Sequence, residues 1–196
     1  MMNHNHLMID VETLSLKENA AILSIGACTF DLESRTIGKD FHMRCNPFTE
    51  GSMIFDISYG TLQWWFHQSD AARKSIMVEE GALSVSLRSA LTALHEFRTE
   101  SNVDYTWARG PQFDLQVIEY ATLALCVLPS RLKERPMFDW YKVRDVRSVT
   151  DFIPKIVLDK IYSKYTTHDA LEDCHCQCEC LFFAADIADS YAASII

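Results

Sequence analysis

The amino-acid sequence predicts an α/β fold: a mixed five-stranded sheet in which an antiparallel meander is joined to parallel crossover strands, with helices on its faces. Three observations carry this prediction. The first 45 residues hold three apolar segments separated by short polar connections; the apolar period then changes from two to three or four; and strand-like segments return between helical ones. At 196 residues the chain fits one core, so a single domain over 1–196 is expected.

Leu7 to Val11 reads as the first strand, Ala20 to Asp31 as the second and Thr36 to Cys45 as the third. The connections Glu12–Asn19 and Leu32–Arg35 are short enough for antiparallel neighbours. Ser58 is positioned to cap a helix through Leu62, Trp64 and Trp65, and Ser69 a short one before Lys74. From Ala82 to Thr99, Leu83, Leu87, Ala90, Leu91, Leu94 and Phe97 recur every three or four residues, which predicts an amphipathic helix packed on one side. Val103 to Ala108 reads as a strand broken by Arg109-Gly110-Pro111, followed by a helix from about Gln112 to Leu125. A fifth strand near Asp139 to Val143 and a last helix from Asp169 to about Ser190 complete the outline.

Composition bounds the function. With 48% hydrophobic and 23% charged residues the chain can build a core and is not a disordered one. The apolar runs Ala20–Phe30 and Ala121–Leu128 fall short of the roughly 20 residues of a membrane span, and Met1–His6 lacks the features of a secretory signal. Seven cysteines, an odd number in a chain of this size, point to reduced thiols; the cytoplasm is the expected compartment. A net charge of −9 argues against a general nucleic-acid coat protein. Between Arg131 and Arg147, however, six basic residues face three acidic ones. That segment is either a phosphate-facing patch or a solvated loop.

Asp10 and Glu12 stand two apart on the first strand, so both carboxylates leave one face while Ile9 and Val11 enter the core. Alone, such a pair is also an ordinary surface feature. Asp114 opens a helix, where the helix dipole already favours an anion. Asp169 and Glu172 match the N-cap and N3 of a capping box, so the last helix begins after His168. Five residues along a helix would turn His168 about 140° away from Asp173. As a loop residue, His168 escapes that constraint and can face the same cleft.

Taken together and in order, Asp10-Val11-Glu12-Thr13, Phe113-Asp114 and His168 five residues before Asp173 resemble the three motifs of the DEDD 3′→5′ exonucleases that use histidine. The resemblance runs from residue 7 to about 185. Trp64-Trp65 with Gln68-Ser69, Trp107-Ala108-Arg109-Gly110, and Arg144-Asp145-Val146-Arg147 resemble the branch containing phage exonuclease A and a mycobacterial adenosine-directed ribonuclease. The fold implied is ribonuclease H-like.

The resemblance implies a catalytic set of Asp10, Glu12, Asp114, His168 and Asp173, with the four carboxylates holding two Mg²⁺ or Mn²⁺ and His168 as general base. Four clustered carboxylates repel, and divalent cations relieve that repulsion; all-oxygen ligands favour hard ions. The implied substrate is the 3′ end of single-stranded DNA or RNA, or a 3′ overhang, and the product a 5′-mononucleotide. Thr13 and Leu14 would meet the terminal nucleotide, with Leu14 as a wedge; Arg109 and Phe113 would contact phosphate and base. Trp64, Trp65 and Trp107 read as core aromatics, with base platforms as the alternative. No membrane partner is expected. Some relatives use a partner's basic surface, which admits a homodimer, though no feature of the sequence demands one.

The run Cys174 to Cys180 carries four alternate cysteines. Residues two apart on a helix point about 200° away from each other, so these thiols cannot converge on one ion without unwinding; apolar packing is expected. Two rival readings are a catalytically inactive nucleic-acid-binding or scaffold protein on the same fold, and a zinc module built on the cysteines.

Overall fold

The computed structural model describes residues 4–46, 54–77, 85–127 and 137–195. Six strands form one sheet in the order β4-β3-β2-β1-β5-β6. β1 (His6–Thr13), β2 (Ile22–Asp31) and β3 (Thr36–Asn46) make the expected antiparallel meander, with Asp10 opposite Gly26 and Cys28 opposite Asp40. β5 (Tyr105–Ala108) runs parallel to β1, and β6 (Val143–Asp145) parallel to β5.

Two details depart from the expectation. A sixth strand, the two-residue β4 (Val85–Ser86), pairs with the end of β3. The strand expected over Asp139–Val143 begins only at Val143, because Trp140–Lys142 form a 3₁₀ turn. Trp140 and Tyr141 are exposed, so no burial holds that stretch extended.

Two layers of helices cover the sheet. α3 (Leu87–Ser101) buries Leu87, Ala90, Leu91 and Leu94, the stripe read from its spacing. Ser86 caps it by accepting from the Ser89 N–H at 3.1 Å, and Asn102 ends it in the left-handed conformation that Asn tolerates. The start expected at Ala82 lies outside the described residues. With α4 (Pro111–Ala124), α3 closes a core that takes Leu7, Ile9 and Val11 from β1. Met8 faces the other layer, formed by α7 (Ala170–Ile195). Asp10 and Glu12 continue the Met8 side of the strand.

Ser58 precedes α1 (Tyr59–Phe66) but caps it through its carbonyl alone, whereas Ser69 caps α2 (Asp70–Ile76) with its side chain. Two short helices, α5 (Arg147–Thr150) and α6 (Lys155–Tyr162), were not anticipated; α6 follows Pro154, which suits a helix start. Among the described residues no helix is long and apolar enough to cross a membrane.

α7 splits the cysteines between two faces. Cys174 and Cys178 pack with Met8, Cys28, Phe30 and Trp107, while Cys176 and Cys180 pack with Ile161 of α6. All four are free thiols in an unbroken helix, as the spacing requires.

Candidate active site

Asp10 and Glu12 reach the site because β1 alternates, and Asp173 reaches it because the start of α7 lies directly on the sheet. The second placement depends on Gly26, the cross-strand partner of Asp10. A Cβ at residue 26 would overlap the backbone of Ala170 and Leu171, so only glycine lets the first turn of α7 approach this closely. The Asp169 carboxylate caps that turn, accepting from Leu171 and Glu172 at 3.2 Å each.

Glu12, His168 and Asp173 offer ligand atoms that all lie within 4.8 Å of one another. His168 sits before α7 in the left-handed region, at φ 64°. Its N–H donates to the Asp173 carboxylate at 3.0 Å, and its carbonyl accepts from the Ser75 hydroxyl at 2.7 Å. The imidazole meets Trp64 edge-on, with ring centroids 4.6 Å apart. Loop conformation, α2 and α1 together fix the ring beside Glu12 and Asp173.

The electrostatics bring in the other two acids. Burial raises the Asp10 carboxyl well above its ordinary value, and the charges of Asp114, Glu12 and Asp173 raise it further; the Gln177 amide, donating at 3.0 Å, opposes this. Burial, then Asp173 and Asp114, push Glu12 up to about 9. Burial pushes Asp114 up to about 7 against the backbone N–H groups of Asp114 and Val11 and the Arg147 charge. Asp173 stands at about 6, raised by burial and lowered by the His168 N–H and Arg109. Burial lowers His168. The Gln177 carbonyl oxygen is buried without a partner among the described residues. Glu12 and Asp173 share one group of ligand atoms with His168, while Asp10 and Asp114 lie outside that group but within reach of its charges; all four carboxyls are held above the ordinary range, a set short of positive charge.

Beside them opens a cavity of about 670 Å³ whose walls include Glu12, Thr13, Leu16, Trp64, Trp65 and Phe113. Leu14, expected there as a wedge, is instead buried in the core at 8% exposure; Leu16, 81% exposed, is the leucine at the cavity. The cause is local. The β1 register shifts between Glu12 and Thr13, so alternation no longer carries Leu14 to the Glu12 side. The Thr13 carbonyl accepts from the Trp65 indole at 2.9 Å, and its hydroxyl donates to Ser15.

Phe113 lines the cavity. Arg109 is exposed, with its guanidinium 5.6 Å from the Tyr162 ring centroid, and its charge reaches Asp173. Part of the basic stretch, 131–136, lies outside the described residues. Of the rest, Arg144 packs on the Tyr105 ring at 4.5 Å and donates to the Tyr141 and Val143 carbonyls, a structural use. Asp145 accepts from the Gly110 and Arg147 N–H groups, tying β6 to the loop before Asp114. Gly110 has φ 104° and touches Arg147, so its place there is conformational and steric.

Ser75 carries no site expectation from the sequence, and Trp64 stands there as a core aromatic first and a base platform second. Trp65 is core at 5% exposure while Trp64 is 42% exposed, and Ser75 sits 93 residues from the carbonyl it bonds. No local signal marks either.

A family model described as the 3′-5′ exoribonuclease Rv2179c-like domain matches residues 5–184. The exodeoxyribonuclease of enterobacteria phage T4 is 26% identical over 200 residues, covering 85% of this chain and 83% of its own. Among solved structures, exonuclease I from Methylocaldum szegediense gives a TM-score of 0.59 at 14% identity, over 90% of this chain and 39% of that one. The nuclease domain of 3′hExo, a DEDDh family member bound to rAMP, gives 0.56 at 12% identity, over 94% of this chain and 92% of that one. The chain therefore spans about two fifths of the exonuclease I it matches. At these identities the structural likeness speaks for the fold, which is the ribonuclease H-like arrangement.

Proposed function

The chain belongs to the Rv2179c-like 3′-5′ exoribonuclease domain family, within the DEDD 3′→5′ exonucleases, and on that premise we propose that it removes 5′-mononucleotides from single-stranded 3′ ends of DNA or RNA. The observation that carries this reading is the convergence of Glu12, His168 and Asp173 within 4.8 Å at the edge of the cavity.

In this reading Asp10, Glu12, Asp114 and Asp173 hold two Mg²⁺ or Mn²⁺ ions. All-oxygen donors suit hard ions, and the raised carboxyls call for added positive charge. When bound, the metals lower the pKa of the attacking water and neutralise the leaving 3′ oxygen. His168 takes the proton from that water. Burial keeps its imidazole neutral near pH 7 and so able to accept, and Trp64 with the left-handed backbone holds its direction.

The cavity receives the terminal nucleoside. Leu16, Trp64 and Phe113 offer apolar and aromatic walls to its base, and Thr13 lies where the sugar would enter. Arg109, exposed beside Asp173, is placed to meet a phosphate. The test uses matched RNA and DNA strands as single strands, with 3′ overhangs and as blunt duplexes, with product size read against time. Stepwise release of mononucleotides from the 3′ end is expected. Internal fragments, or an intact substrate with every strand, would overturn the reading.

A further inference from the structure

On the far side of α7 from Cys176 and Cys180, a second group of ligand-type side chains converges. Cys28 and Asp40 are cross-strand partners of β2 and β3. His175 stands on α7, which packs over these strands. Donor atoms of Cys28, Asp40 and His175 all lie within 4.8 Å of one another. The Cys28 and Cys178 sulfurs are 3.6 Å apart, and His175 Nε2 is 2.8 Å from the Asp40 carboxylate.

From this juxtaposition of a sulfur, an imidazole and a carboxylate we propose a zinc site formed by Cys28, Asp40 and His175, with solvent as the fourth ligand, separate from the carboxylate cleft. The donor set is the argument for the metal. Thiolate and imidazole select a borderline-soft ion such as Zn²⁺, and three elements, β2, β3 and α7, supply the ligands where four alternate cysteines on one helix could not.

The spacing agrees. Zinc ligands at about 2.0–2.3 Å stand roughly 3.3–3.8 Å apart, inside the 4.8 Å that bounds the donor atoms of Cys28, Asp40 and His175, whereas the Cys178 sulfur, 3.6 Å from that of Cys28, falls outside this group. Nitrogen and oxygen ligands at about 2.0 Å stand about 3.3 Å apart, so the 2.8 Å His175–Asp40 hydrogen bond opens slightly as the ion takes the place of its proton. The Cys28 sulfur is buried, while Asp40 is exposed and His175 half-buried, which leaves an entry path from solvent. Bound zinc would clamp α7 to β2 and β3 two residues beyond Asp173, holding the helix that carries that acid.

The test is a Co²⁺ titration of fully reduced protein under anaerobic conditions, followed by the thiolate-to-cobalt charge-transfer band in the near ultraviolet. The carboxylate cleft has no thiol among its donors, so metal bound there gives no such band, and this result stands apart from any assay of nuclease activity. A saturable band at one equivalent is expected, lost when Zn²⁺ is added. His175→Gln and Asp40→Asn, both outside the core, should each weaken binding at least about tenfold. A reduced protein that gives no thiolate band overturns the site. So does a band that persists with unchanged affinity in both variants.

Discussion

The backbone N–H of His168 donates to the Asp173 carboxylate at 3.0 Å, so the imidazole and the acid are tied by the chain that joins them. That link requires the left-handed backbone at His168. Replacing His168 therefore tests two things at once unless the new residue tolerates that conformation. Asn does. His168→Asn should keep the fold and the α7 cap while lowering kcat by about 10²–10⁴-fold, with a much smaller change in KM. Steady-state kinetics alongside a thermal melt checks this; near-normal turnover in a folded variant would remove His168 from the proton transfer.

Gly26 brings α7 against the sheet, and Gly26→Ala should push it away. Overpacking of this kind costs about 1–3 kcal/mol. A lowered Tm together with weaker binding of Mn²⁺ is the expected result, because Asp173 moves with the helix that carries it. Wild-type stability in this variant would show that the approach at Ala170 is not tight.

The two leucines after Thr13 should separate stability from substrate binding. Leu14→Ala removes a core side chain and should destabilise by about 2–5 kcal/mol. Leu16→Ala, on an exposed residue at the cavity, should leave the melt unchanged and raise KM for a single-stranded oligonucleotide. Comparing denaturant midpoints and KM for the two variants reads this directly.

The carboxylates set a pH signature in metal-free protein. A carboxyl raised on folding binds more protons folded than unfolded, so its stabilisation is complete below its unfolded value and is lost as pH rises through the folded one. With Asp114 at about 7 and Glu12 at about 9, stability in chelator should fall from pH 7 to pH 9. In that window His6, His42 and His168, all lowered by burial, are already neutral and do not contribute. Added Mg²⁺ or Mn²⁺ should restore Tm, and by more at pH 9 than at pH 7. A metal-free Tm that is flat or rises across this range would contradict the clustering of the acids.

Much of this site is legible along the chain because strand and helix periods fix it locally. Alternation sends Ile9 and Val11 inward and Asp10 and Glu12 to the opposite face. The Asp169 cap places the start of α7, and with it the relation of His168 to Asp173. What sequence could not supply arises where those periods break or where distant segments meet. The register shift at Glu12/Thr13 exchanges Leu14 for Leu16. Exposure of Trp140 and Tyr141 lets a turn replace the start of a strand. The contacts of Trp64 and Ser75 with His168 span some hundred residues, beyond any local pattern.

The most direct measurement is the release of mononucleotide from a 3′-labelled single strand by wild-type protein and by Asp10→Asn, each with Mn²⁺ and again with chelator. Label should appear as mononucleotide for the wild type with metal and in none of the other three reactions. Release that continues in chelator, or that Asp10→Asn matches, would contradict a carboxylate-held metal centre at the heart of this protein.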